Sequence, residues 1–186
     1  MNVINNLNEK DLVLCLISGG GSALFESPLI SLNDLQRINR ELQLRGATIQ
    51  EINTVRKHVS NCKGGNLAKK IYPAKLVSII FSDVIGDNLS FIASGPTVLD
   101  ATTNNDARKI LDNYNISKVK LYETPKEIKY FEKVDNILLL NNKLALKAMY
   151  DRAKSLNLEC KIYSAKISGE ARDTGLKLIK VAKKGI

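Results

Sequence analysis

Three stretches of this sequence hold residue types that could do chemistry together. The first is Ser18-Gly19-Gly20-Gly21-Ser22, which follows the apolar run Leu12–Ile17. Successive glycines remove every Cβ, at an ordering cost of about 0.5–1 kcal/mol each relative to alanine. A plain connection needs one glycine. Three, flanked by hydroxyls, suit a loop whose backbone N–H groups converge on an anion. A tight turn or close strand–helix packing accounts for the same residues, and spacing alone does not separate the two. The second stretch is Ser82-Asp83-Val84-Ile85-Gly86-Asp87, after the apolar run Lys75–Phe81. Asp83 and Asp87 are the types that hold Mg²⁺, or that take a proton from an attacking hydroxyl. A turn with both carboxylates in water is the alternative. The third is Asn53, Arg56 and Lys57, a source of positive charge for a carboxylate or phosphate. For these a solvated helix face is the commoner meaning. Ser94-Gly95-Pro96-Thr97 adds hydroxyls and a backbone N–H at Gly95, though simple turns also look like this.

Two common phosphate motifs are absent. A Walker loop needs a lysine and a hydroxyl directly after its last glycine, and Ser22-Ala23-Leu24 stands there instead. Leu24 also occupies the third-glycine position of G-x-G-x-x-G, which argues against a nicotinamide cofactor held in the usual way. A nucleophilic Ser18 or Ser22 would need a base, and the only histidine is His58. His58 reads more simply as a helix-surface residue.

Regular elements must place these groups. Leu12–Ile17 is apolar at every position and predicts a strand buried on both faces. A helix is expected from near Ser31 to Arg45-Gly46, with Leu35, Ile38 and Leu42 inward. Thr48-Ile49-Gln50-Glu51 is a capping box opening a second helix whose apolar face is Ile49, Ile52, Val55 and Val59. Further helices are predicted over 66–72, 104–114, 143–156 and 169–183, and further strands over 75–81, 137–140 and 159–164. Residues 115–135 carry no clear pattern and read as a surface excursion. The alternation implies an α/β fold: a layered, Rossmann-like domain with a mainly parallel sheet flanked by helices. In such sheets ligands gather beyond the carboxyl ends of the strands, where the loops after Ile17 and Phe81 both lie.

The chain has 186 residues, enough for one domain that buries roughly 70% of its unfolded surface. No apolar run approaches the roughly 20 residues needed to cross a bilayer. The opening residues lack the basic stretch and apolar core of a secretory signal. Cys15, Cys62 and Cys160 are odd in number and without metal-ligand spacing, which favours free thiols in a reducing cytoplasm. The net charge of +9 first suggests nucleic acid. The lysines are scattered, however, and lack interleaved aromatics, so neither nucleic acid nor membrane is an expected partner.

Taken in order, 16–23 (Leu-Ile-Ser-Gly-Gly-Gly-Ser-Ala), 46–58 (Gly-Ala-Thr-Ile-Gln-Glu-Ile-Asn-Thr-Val-Arg-Lys-His), 63–65 (Lys-Gly-Gly), 82–87 (Ser-Asp-Val-Ile-Gly-Asp) and 92–97 (Ile-Ala-Ser-Gly-Pro-Thr) resemble the glycerate 2-kinase family. This is the ATP-dependent type whose C-terminal part is called the MOFRL domain. The resemblance is dense from Asp11 to Asp100 and thinner beyond. It implies phosphoryl transfer from ATP, with Mg²⁺, to the 2-hydroxyl of D-glycerate. By that likeness Ser18, Gly19, Gly20, Gly21 and Ser22 line the site, and Asn53, Arg56 and Lys57 face substrate carboxylate or phosphate. Asp83 or Asp87 serves metal or proton transfer, Lys57 joins them in catalysis, and Ser94 and Gly95 close the pocket. Set against that family, residues 1–186 are expected to be a single α/β domain incomplete at its N-terminus. The family's N-terminal segment with its active-site lysine and its MOFRL domain with an arginine would lie elsewhere, and a second chain supplying the missing part is an expected partner. The segment 115–135 is shorter than usual, and Asn88 stands where many relatives carry a second Asp. A non-catalytic ligand-binding remnant is the alternative, and a hydroxypyruvate reductase a weaker one.

Overall fold

The fold is taken from a computed structural model, which describes residue 4 and residues 6–183. The opening residues therefore fall partly outside the described residues. Three parallel strands, β1 (Leu12–Ile17), β2 (Lys75–Phe81) and β3 (Val134–Leu140), form one sheet in the order β1-β2-β3. Ile17 pairs with Ile80 and Ile80 with Leu138, so the three carboxyl ends share one edge. The helices are α1 (Gly21–Leu24), α2 (Leu32–Leu44), α3 (Ile49–Lys57), α4 (Asn66–Ile71), α5 (Asn104–Asn113), α6 (Asn142–Ser155) and α7 (Ala171–Lys183).

Local chemistry accounts for the helix starts. The Ser31 hydroxyl accepts from Asp34 N at α2. At α3 the predicted box is complete: Thr48 Oγ1 accepts from Glu51 N, and Glu51 Oε2 accepts from Thr48 N at 2.8 Å. Thr103 and Asp106 repeat the arrangement at α5. These three helices pack together through Ile38, Leu42, Ile52, Val55, Ala107 and Leu111. A fully buried Leu42 contributes about 1.5–3 kcal/mol. A second cluster sets α4 against Leu76 of β2, and a third joins Ile17, Ile80, Ile92 and Ala93.

Four expectations need correction. β1 is buried on one face only. Val13, Cys15 and Ile17 turn inward, whereas Leu12, Leu14 and Leu16 are 60, 62 and 73% exposed because no element among the described residues covers them. Ile49 is exposed, since the first residue of α3 points back beyond the packed turn. Residues 159–164 form no strand: β3 is the end of the described sheet, and among the described residues no strand pairs with this segment. Residues 115–135 are no surface excursion. Ile116 joins the helical core, Tyr122 N donates to His58 O, and Thr124 is buried.

Candidate functional site

The loops predicted to meet do meet. Gly19 lies so close to Asp83 that a Cβ there would fall 2.5 Å from Asp83 Oδ2. Gly21 is likewise close to Ala93: its Cβ would be 2.8 Å from the Ala93 Cβ. Gly20 takes a left-handed φ of 83°, as alanine would not readily do, and turns the chain from β1 into α1. Among the described residues the N–H groups of Gly19, Gly20 and Ser22 have no acceptor, whereas Gly21 N donates to Ser18 O. Unsatisfied donors in a loop beyond a strand's carboxyl end are what an anion would use.

The Asp83 carboxylate is exposed, and among the described residues it has no hydrogen-bond partner. With Gly19, Ser82, Asn141 and Asn142 it lines a hollow of about 590 Å³ at the sheet's carboxyl edge. Asn141 is the N-cap of α6, and it donates from Nδ2 to Asp87 Oδ2 at 2.9 Å. Asp87 lines a neighbouring hollow with Lys166 rather than the one Asp83 shares with Gly19. The two hollows adjoin through Ile85 and Asn142, which line both. On the other side of the glycine loop, a more apolar hollow of about 290 Å³ is lined by Cys15, Ile17, Ser18, Gly21, Phe25 and Ala93.

The Ser94-Gly95 turn is a support rather than an open wall. Ala93, Ser94 and Gly95 have successive positive φ values of 51, 61 and 64°. Such backbone strain costs of order 1–3 kcal/mol per non-glycine residue and persists only where the surroundings enforce it. Here Gly64 N and Gly65 N donate to Ser94 O and Gly95 O at 3.0 and 2.8 Å. Ser94 is fully buried and donates to Asn53 Oδ1 at 3.1 Å. The N–H expected to be free at Gly95 donates to Ile92 O at 2.9 Å.

The solvated-face reading of α3 fails. Asn53 and Lys57 are 3 and 4% exposed. Asn53 Nδ2 has no acceptor among the described residues. Arg56 donates through Nε to Asn39 Oδ1 at 2.7 Å, which leaves both Nη groups without partners among those residues. Burial pushes its pKa down against the opposing pull of Glu26. Lys57, by contrast, is paired: Nζ donates to Asp100 Oδ1 at 3.0 Å. Asp100 also accepts from Thr102 N, Thr102 Oγ1 and Thr124 Oγ1. Burial works to raise the Asp100 pKa, but the Lys57 ammonium and the Thr102 donors hold it below the ordinary carboxylate range. His58 is not on the surface either. It is fully buried, with Nδ1 2.9 Å from Tyr122 O, so Nδ1 carries the hydrogen. Its Nε2 faces Thr102 Oγ1.

Sequence reasoning missed Asp100, Glu26 and Lys63. Asp100 and Glu26 carry no local signal, because their partners are 43 and 34 residues away. Lys63-Gly64-Gly65 stands among the stretches that carry the family resemblance, but nothing local marks Lys63 as buried.

Residues 1–128 match a family described as "Domain of unknown function (DUF4147)". The chain is 43% identical over 187 residues to the D-glycerate 2-kinase of Thermotoga maritima, covering 94% of this chain and 43% of the relative. A solved structure of glycerate kinase from the same organism superposes with a TM-score of 0.86, at 40% identity, over 98% of this chain and 45% of that one. The glycerate 2-kinase of Pyrococcus horikoshii is 45% identical over 193 residues, 95% of this chain and 43% of its own. A protein of Agrobacterium vitis named putative hydroxypyruvate reductase is 43% identical over 182 residues, 92% of this chain and 41% of its own. The chain therefore spans less than half the length of the curated relatives it matches.

Proposed function

The chain belongs to the DUF4147 family and is homologous to glycerate 2-kinases, and on that premise we propose that it carries the phosphate-handling half of an ATP-dependent glycerate 2-kinase. The observation that carries this reading is the set of N–H groups at Gly19, Gly20 and Ser22 that have no acceptor among the described residues, beside the Asp83 carboxylate. Phosphoryl transfer asks mainly for positioning and for charge around the transferring group. The loop N–H groups hold phosphoryl oxygens through backbone dipoles that need no reorganisation. Arg56, whose Nη groups have no hydrogen-bond partner among the described residues, takes the carboxylate of D-glycerate, and Asn53 Nδ2 adds a neutral donor. Asp83 accepts the proton of the attacking 2-hydroxyl or holds the cation.

The donor set fits Mg²⁺, which is usually bound through one or two carboxylates together with substrate phosphates. Among the described residues no three His, Cys, Asp or Glu side chains are grouped to cage a metal by themselves. When bound, Mg²⁺ supplies neutralisation of the phosphoryl charge. Lys57 is reassigned in this reading from catalysis to support, because Asp100 claims its ammonium. Ser94 and Gly95 likewise support Asn53 and the loop from behind. Asp87 orients Asn141 rather than sharing the cation.

Free thiols at Cys15, Cys62 and Cys160 suit a reducing compartment, and a cytoplasmic location goes with the reading. No helix among the described residues is long and apolar enough to cross a membrane. A second chain completing the cleft is part of the same proposal.

The test is calorimetric titration of the full chain with ATP, with and without Mg²⁺, alongside an assay with D-glycerate. Mg²⁺-dependent ATP binding is expected, and Asp83→Asn should remove the dependence while leaving the melting temperature unchanged, since that side chain is exposed and has no hydrogen-bond partner among the described residues. Failure of the folded chain to bind ATP refutes the reading. Binding without turnover, alone and with a candidate partner chain, would favour the ligand-binding remnant. Oxidation of NADH would favour a reductase, against which Leu24 stands in the third-glycine position.

A further inference from the structure

We propose that Lys63 is a positioning residue, which fixes the glycine loop in its anion-accepting form by gripping the carbonyl at the loop's exit. The proposal rests on reading that loop as the phosphate cradle. Lys63 is the bulkiest fully buried side chain among the described residues, yet it is a cation. An ammonium is not buried at this depth without partners. Its Nζ donates to Phe25 O at 2.6 Å and lies 3.4 Å from Glu26 Oε2. Phe25 ends α1, donating its own N–H to Gly21 O at 3.0 Å. The lysine thus sits on the first carbonyl after the loop's single turn of helix, where a positive charge is favoured. Glu26 is itself held: Oε1 accepts from Ser60 Oγ and from Ser27 N.

The next two residues grip the opposite wall. Gly64 N and Gly65 N donate to Ser94 O and Gly95 O, the strained turn that Gly21 abuts. Residues 63–65 therefore form a clip, with a side chain on one loop and two backbone donors on the other. The clip sets the distance between Gly21 and Ala93, and with it the direction of the loop's free N–H groups. Gly64 and Gly65 are required by positive φ values of 56 and 82° and by contact: a Cβ on Gly65 would meet Phe131 and Val98 O within 3 Å. A lysine that merely filled space would need neither the carbonyl nor this pair of glycines.

The experiment compares the full chain with Lys63→Met and Glu26→Gln. Amide hydrogen exchange at Leu24 and Phe25 should accelerate by about tenfold in Lys63→Met, the effect of losing one charge-assisted hydrogen bond. Exchange at Ile79 and Ile80 of β2 should change much less. Glu26→Gln keeps an oxygen for Ser60 and leaves the Phe25 contact, so a smaller but equally local acceleration is expected. The Kd for Mg·ATP should rise by about tenfold in Lys63→Met at a temperature where both chains are folded. Exchange that rises uniformly, or a Kd unchanged in both variants, overturns the proposal. If Lys63→Met does not fold, Glu26→Gln decides it by the same local criterion. If the unsubstituted chain takes no Mg·ATP, the phosphate reading fails, and the exchange pattern alone decides the role of Lys63.

Discussion

Removing either partner of the Lys57–Asp100 pair should destabilise the chain, and by unequal amounts. The two side chains are 5 and 1% exposed. Breaking a pair this buried costs about 3–5 kcal/mol, because an uncompensated charge is left behind. The surroundings fix which end of that range applies. In Lys57→Met the Asp100 carboxylate keeps Thr102 N, Thr102 Oγ1 and Thr124 Oγ1, so the cost should be about 3 kcal/mol. In Asp100→Ala the Lys57 ammonium keeps no partner among the described residues, and three donors lose their acceptor. That should cost about 5 kcal/mol. Urea unfolding at pH 7, with slopes unchanged, measures both. The pH dependence gives an independent check. Asp100 is held below the ordinary carboxylate range, so its contribution is full above about pH 4. It is lost as pH falls through the lower folded value. In Lys57→Met the main lowering influence is gone and burial remains, so the acid limb should move to higher pH. A Lys57→Met chain within 1 kcal/mol of the original, or less stable than Asp100→Ala, would refute the reasoning. Either result would also reopen a catalytic role for Lys57.

Other consequences are more local. Thr48→Ala removes the hydroxyl half of a complete capping box and should cost about 1 kcal/mol, seen as a fall of about 2–4 °C in Tm by circular dichroism. Gly21→Ala places a Cβ 2.8 Å from that of Ala93. Ala93 is already strained and cannot yield freely, so a loss of about 1–3 kcal/mol in thermal unfolding is expected, together with weakened Mg·ATP binding by calorimetry.

Periodicity and capping chemistry are local properties, and the sequence alone was enough to determine them. Leu35, Ile38 and Leu42 fix the inward face of α2 because the helical repeat brings them to one side. Thr48 and Glu51 fix the start of α3 because the box closes within four residues. Alternation of strand and helix determined a parallel sheet, and hence that the loops after Ile17 and Phe81 share an edge. Residue type and spacing also picked out the glycine loop and Asp83.

Tertiary structure decided what each polar group is free to do. Lys57 and Arg56 are adjacent and equally cationic in sequence, but Asp100 claims one and leaves the other's Nη groups open. Asp83 and Asp87 look like a pair, yet only Asp83 shares a cavity with Gly19. Whether a strand is covered on both faces is likewise invisible in Leu12–Ile17, since it depends on what else lies over the sheet. The physical reason is common to all three. A charge or an apolar face acts according to what lies against it, which for Lys57 and Asp87 is 43 and 54 residues away along the chain.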